Sequence, residues 1–365
     1  MPSSLMHFGR SVARSITLGR SSAAEASRHK GLILLYHRVA SPDCDPQQLC
    51  VSPDNFAAQL RVLKQIACPL PLAELVTQAA SKNGNGNGHS IGNVASPAVA
   101  VTFDDGYADN FHAAQPILAE HGIPALVFVA AGYVDAGREF WWDELEQLLL
   151  QPGVLPQELS LAALDGALSY HLDGAARYNE ADLVRHRAWS TSQPTDPTPR
   201  HALYRVLCDR LRRMTVASRE QSLDELFRWA GRGRIARDSH RAMSSEELRS
   251  LSRCDSIEIG AHTMHHPVLA SLSPDAQEAE IVQSRQRLHE ITGIAPTSFS
   301  YPYGTRRDFR GRTVQLVRSA GFSRACANSS GMVDARTDPL RLPRFVVRDW
   351  PADVFARQFE EWLRG

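Results

Sequence analysis

Short, wholly apolar runs alternate with stretches of helical spacing along two parts of this chain. Gly31-Leu-Ile-Leu-Leu-Tyr36, Pro97-Ala-Val-Ala-Val-Thr-Phe103 and Pro124-Ala-Leu-Val-Phe-Val-Ala-Ala131 lack the in-and-out alternation of a half-exposed sheet. They read as strands buried on both faces, the habit of parallel sheets. Between them, Pro53 to Ile66 places Phe56, Leu60, Leu63 and Ile66 at helical intervals. Ala108 to His121 reads as a second helix, closed by Gly122, with Pro116 inside it as a kink or as the start of its regular part. This rhythm predicts a parallel α/β sheet or barrel. From about Phe140 to Met243 the strands disappear and charged helical segments take over, among them Leu203 to Met214 and Arg219 to Trp229. The stretch is read as a helical insertion. The α/β rhythm returns at Ser244, an N-cap, and continues with a helix from Pro274 to Thr292 that Gly293 ends. Further strands are expected at Ser298–Tyr301, near Arg324–Ala327 and at Leu342–Val347.

Composition changes little in this picture. The 365 residues are 43% hydrophobic, enough for one large domain with an insertion. Lys+Arg and Asp+Glu are both 40, so no global field favours nucleic acid or an anionic membrane. The six cysteines form no C-x-x-C pair and are expected as reduced thiols. Residues 1–30 are basic and Ser/Ala-rich, a flexible leader with at most weak attraction to a membrane surface. They lack the apolar core of a secretory signal, and no run approaches the roughly 18–20 apolar residues of a membrane span. A cytoplasmic location is expected, with an extracytoplasmic or membrane-peripheral one as the alternative. Residues 81–93 are a low-complexity Asn/Gly loop.

The chemistry sits at the ends of the apolar runs. Asp104 and Asp105 follow Phe103 directly. Two adjacent carboxylates at a strand mouth repel and lose hydration, so a cation beside them or a shared proton is needed. A metal with a general base satisfies that requirement, whereas an Asp-Gly turn is the plain alternative. A second strand-like run, Ile257-Glu-Ile-Gly-Ala, delivers His262, His265 and His266. His262 and His266 are spaced i, i+4, so one helical turn would aim both imidazoles the same way, with His265 off that face. Two histidines and a carboxylate make a common catalytic zinc set.

Together these motifs, with Pro302-Tyr-Gly304, resemble the polysaccharide deacetylase pattern (NodB homology, carbohydrate esterase family 4). The likeness covers about residues 31–135 and 243–350. It implies a distorted (β/α)7-type barrel with the helical insertion outside it: a leader at 1–30, then a barrel over 31–365 interrupted by 140–243. It also implies a divalent metal, zinc before cobalt, nickel or manganese, held by Asp105, His262 and His266. Asp104 would be the base, and the backbone N–H of Tyr303 would join the metal in stabilising the oxyanion. Tyr107, Trp141, Trp142 and Pro302 are the candidates to touch substrate, the two indoles as a sugar-stacking platform.

Two departures from the family pattern matter. No histidine follows residue 304, where most members carry their general acid. Leu34-Leu-Tyr-His37-Arg-Val39 instead resembles the first strand of circularly permuted members that process poly-N-acetylglucosamine, which makes His37 the candidate acid. The family also places an arginine four residues before the Pro-Tyr proline, where this chain has Ser298. Arg344 is the candidate to replace it, with Arg306, Arg307 and Arg348 as rivals. The implied activity is a metal-dependent de-N-acetylase of N-acetylhexosamine units, in a polysaccharide or a lipid-linked precursor of exopolysaccharide or envelope glycan. Hydrolysis of other non-peptide C–N bonds, and a non-catalytic carbohydrate-binding scaffold, are the alternatives.

Overall fold

Eight parallel strands form one curled sheet in the computed structural model, which describes residues 30–80, 96–161 and 167–364. In chain order they are β1 (Gly31–Tyr36), β2 (Cys68–Pro69), β3 (Ala98–Phe103), β4 (Ala125–Val129), β5 (Ile257–Ala261), β6 (Ser298–Ser300), β7 (Arg324–Cys326) and β8 (Phe345–Val346). The order across the sheet is β7-β6-β5-β4-β3-β1-β8, with β2 beside the start of β3. The expected leader and the Asn/Gly loop lie outside the described residues.

Continuous apolar composition appears as burial on both faces. Leu32 to Tyr36 of β1 are each at most 1% exposed. Truncating one of these, Leu34→Ala for example, removes contacts on a fully packed face and costs about 2–5 kcal/mol. The curl closes through a single late segment. Leu342 bridges Cys326 in parallel, its N–H donating to Ala325 and its carbonyl accepting from Ala327 (2.8 Å each). Three residues on, Phe345 and Val346 pair with Leu34 and Leu35 of β1. One stretch of chain thus joins the two edges, and the distorted barrel read from the sequence is the fold observed.

The helices fall where their caps place them. Pro53–Ile66 is helical, and Pro274–Thr292 runs from the Ser273 cap to Gly293 in the left-handed region (φ 78°). Pro116 starts a regular helix, Gln115–His121, after a π-helical turn over Asn110–Ala114. Ser244 and Glu247 make a reciprocal capping box.

Residues from Phe140 to Ala242 contribute most of a second hydrophobic cluster, apart from the barrel core. Its helices include Trp141–Leu149, Pro199–Leu211 and Val216–Trp229. The stretch also holds strands that sequence reading missed: Glu158–Leu161 pairs antiparallel with Leu168–His171, and Gly153–Val154 with Arg177–Tyr178. Runs this short carry too few alternations to register as a period. Arg200, fully buried, ties the region together by donating to the carbonyls of Leu149, Gly153, Ala175 and Ala176. All six cysteines are free thiols, and among the described residues no helix is long and apolar enough to cross a membrane.

Candidate active site

The C-terminal ends of the parallel strands converge on one mouth, where strand-end side chains of a barrel collect. β3 ends in Asp104, Asp105 and Gly106. Asp105 and Gly106 both have positive φ (74° and 83°), so the chain reverses at once and leaves the two carboxylates facing different neighbours. Gly106 is required there twice over, because a Cβ would also lie 2.9 Å from Val129 Cγ1. The loop after β4 binds both motifs by backbone: the Ala130 N–H donates to the Asp105 carbonyl, and the Ala131 N–H to that of Thr263.

Asp104 is clamped. Arg344 Nη1 and Nη2 donate to its two oxygens at 2.7 Å each, and Ser300 Oγ donates to Oδ2 at 3.1 Å. The same guanidinium donates to the Ala327 carbonyl and to the hydroxyls of Thr102 and Ser300, so its fork is saturated. Burial alone would raise the Asp104 pKa, but Arg344 and then His262 outweigh it and hold the carboxyl well below the usual range. The arginine missing at Ser298 is therefore replaced in space by Arg344, while Ser298 turns to Glu258 (2.8 Å). Among the rivals, Arg306 and Arg307 are exposed, and Arg348 lies on the cavity wall and donates to the Gln48 carbonyl.

Asp105 is the opposite case. Its Oδ1 has no hydrogen-bond partner although it is buried. His262 Nε2 lies 3.5 Å and His266 Nε2 3.4 Å from that oxygen. Burial, then the charges of Asp104 and Asp143, push its pKa far up, so the carboxylate lacks a counter-charge. Burial lowers both histidines and keeps them neutral, the form a metal takes. His262 Nδ1 sits 2.8 Å from the Ser300 carbonyl, which fixes the tautomer that leaves Nε2 free for the shared space. The three ligand atoms lie within 4.8 Å of one another, and the donor set suits zinc. An orphaned carboxylate oxygen facing two free imidazole nitrogens fits a divalent ion.

The route that brings the histidines together corrects the helical reading. Residues 262–266 form a turn, with Thr263 and His266 in the left-handed region (φ 64° and 54°). Thr263 Oγ1 donates to the His262 carbonyl and accepts from the His266 N–H, pinning the turn. His265 is held outward by Glu280, which also accepts the N–H groups of Met264 and His265.

The polysaccharide deacetylase family model matches residues 91–156 and 229–325. The chain contains a polysaccharide deacetylase domain. Domains of this kind belong to hydrolases of non-peptide carbon–nitrogen bonds, as the motifs implied. Solved structures of similar fold include a Streptococcus pyogenes deacetylase, PplD, in complex with acetate (16% identity, 90% of this chain and 97% of that one, TM-score 0.54). IcaB from Ammonifex degensii (18%, 92% and 98%, TM-score 0.52) is another. A de-N-acetylase from Aggregatibacter actinomycetemcomitans shares the fold as well (12%, 90% and 99%, TM-score 0.52). The residues between the two matched segments, 157–228, fall within the stretch read as an insertion.

His37, Asp104, Asp105, Trp141, Trp142, His262, His266 and Tyr303 line one cavity of about 510 Å³, and Arg344 lies buried behind Asp104. His37 ends β1 and is half-buried. Burial lowers its pKa to about 4, with Asp104 opposing and Arg344 and Arg348 reinforcing the shift. The Tyr303 backbone is left-handed (φ 60°), and its N–H makes no hydrogen bond to any described residue. Two substrate-contact candidates are corrected. Tyr107 is fully buried; its hydroxyl donates to Asp143 (2.6 Å) and accepts from Trp142 Nε1 (2.8 Å), and the Trp142 ring packs edge-on against His266 at 5.0 Å. The Tyr107 hydroxyl braces a wall indole, and the residue itself does not line the cavity. Pro302 is buried under the turn and does not line the cavity. Sequence reading also missed Ser300 and Arg212. Arg212 sits 4.2 Å above the Tyr303 ring and pairs with Asp308 at 2.7 Å. Strand alternation from Ser298 would have placed Ser300 on the same face; Arg212 arrives from the stretch read as an insertion and had no local signal.

Proposed function

We propose that this domain is a metal-dependent de-N-acetylase of N-acetylhexosamine units in an exopolysaccharide or envelope glycan. The observation that carries the reading is the division of labour in the carboxylate pair. Asp104 is held ionised by Arg344, while Asp105 faces His262 and His266 with an unpartnered oxygen. A divalent ion held by Asp105, His262 and His266 would polarise the amide carbonyl and lower the pKa of water.

The chain's own residues supply the rest. Asp104, already ionised, takes the proton of the attacking water. Arg344 keeps that carboxylate charged and fixed in plane. The free N–H of Tyr303 is available to a developing oxyanion. The departing amine needs a proton, and His37 is the cavity-lining imidazole that remains once His262 and His266 are taken as ligands; the Asp104 charge acts on it as well. His37 is neutral in the resting site, so it relays a proton collected in turnover and does not store one beforehand. Residues 140–243 are taken as an insertion over this mouth, contributing Trp141, Trp142 and Arg212 to the wall.

The Arg344 clamp counts against a non-catalytic scaffold, whose support in the sequence was the missing arginine. Acetate release from N-acetylglucosamine oligomers tests the reading. Activity should vanish on chelation and return with zinc or cobalt. Full activity in metal-free protein, or none on any N-acetylated glycan when metal is supplied, would overturn it.

A further inference from the structure

The arginines around the cavity differ in one respect. Arg205 pairs with Asp196, Arg212 with Asp308 and Arg344 with Asp104, each at 2.7 Å. Arg348 has no ion-pair partner among the described residues. Its guanidinium makes one hydrogen bond, from Nη1 to the Gln48 carbonyl, which orients the fork and leaves its other edge free. It is half-buried, where an unpaired charge loses hydration without compensation.

Arg348 also stands between two cavities. It lines the catalytic one and a second of about 470 Å³, whose walls include Trp189, Trp350 and Arg187. The same two loops serve both: Gln47 and Thr191 face the first, Gln48 and Ser190 the second. The carboxylates of the second cavity are already engaged. Asp45 accepts from the N–H groups of Leu49 and Cys50, and Asp349 from Ser52 and Asn55. In the catalytic cavity, Asp209 is exposed on the rim beside Arg205 and Arg212. Arg348 and Arg187 therefore form no ion pair among the described residues; the opposing charge felt by Arg348 is that of Asp45, whose oxygens are taken by backbone N–H groups.

Building on the deacetylase reading, we propose that Arg348 and the cavity beyond it form a second subsite. It takes an anionic group of the glycan, a carboxylate or a phosphate ester, next to the N-acetylated residue in the catalytic cavity. A guanidinium fork matches both oxyanions bidentately, and its partial burial strengthens the pairing. The partly exposed indole of Trp350 gives the neighbouring sugar an apolar face to lie against.

The test uses full-length, zinc-loaded protein and three probes: neutral chitotetraose, a tetrasaccharide alternating N-acetylglucosamine with glucuronate, and UDP-N-acetylglucosamine. Binding is measured by calorimetry and acetate release in parallel. At least one anionic probe should bind roughly tenfold tighter than chitotetraose. Arg348→Gln should bring that ratio to about one, and Arg348→Lys should keep part of the preference. Which anionic probe responds distinguishes carboxylate from phosphate. Equal binding of all three probes, or a preference that survives in Arg348→Gln, overturns the subsite. Absence of acetate from every probe would instead fail the deacetylase reading, and calorimetry would still decide the subsite.

Discussion

On the Asp104 side of the site every polar atom has its partner: two guanidinium nitrogens, a serine hydroxyl and the strand that carries them. On the Asp105 side, one peptide bond away, a buried oxygen without a hydrogen-bond partner faces two imidazole nitrogens at 3.5 and 3.4 Å. The residue type is the same and the burial is the same. What differs is the neighbour each carboxylate meets after the left-handed turn at Asp105, and that sets one proton affinity low and the other high. A closed, charged carboxylate is equipped to take a proton; an open one is equipped to hold a cation.

The largest effects should come from the open side. Asp105→Ala or His262→Ala should lose both bound metal and detectable acetate release, read by elemental analysis and turnover. Asp104→Asn should slow turnover by about 10²–10⁴-fold while keeping the metal, because it removes a base and not a ligand. Loss of metal in that variant would erase the distinction between the two sides. Arg344→Met strands a buried carboxylate and should cost about 3–5 kcal/mol of stability, seen as a lower denaturant midpoint. Adding Asp104→Asn to Arg344→Met should recover part of that loss, which a purely additive pair would not do. Ser300→Ala removes one hydrogen bond from the clamp and should cost only about 1 kcal/mol.

Acid provides the smallest test and sharpens the comparison from outside the site. His201, 1% exposed, has its pKa lowered to about 4 by burial, with His186 adding to it. The unfolded chain would bind that proton near 6.5, so stability is full above that pH and is lost as pH falls toward 4. His201→Gln should flatten this loss by roughly 2–4 °C of Tm.

Much of this site was legible because its residues end apolar runs, as Asp104, Asp105 and His262 do. The strands themselves were readable because a sheet covered on both faces leaves no polar alternation to confuse the pattern. The histidine pair was found by a spacing whose geometry proved different: a threonine-pinned turn brings His266 back, and a helix does not. Arg344 lies 240 residues from Asp104 in sequence, so its position late in the chain could nominate it but no local pattern could fix the contact. Tyr107 and Pro302 misled because adjacency to a motif does not say on which side of the wall a side chain falls. Arg212 and the short antiparallel pairs belong to the stretch read as an insertion, whose strands are too short to show a period and pack into a hydrophobic cluster apart from the barrel core.

Metal content of the purified protein tests the division between the two carboxylates most directly. Wild type and Asp104→Asn, prepared side by side with a small excess of zinc and then desalted, should each hold about one equivalent, as a single site of two imidazoles and one carboxylate requires. Asp105→Ala should hold essentially none. Equal metal in Asp105→Ala and wild type, or metal lost from Asp104→Asn alone, would contradict the account.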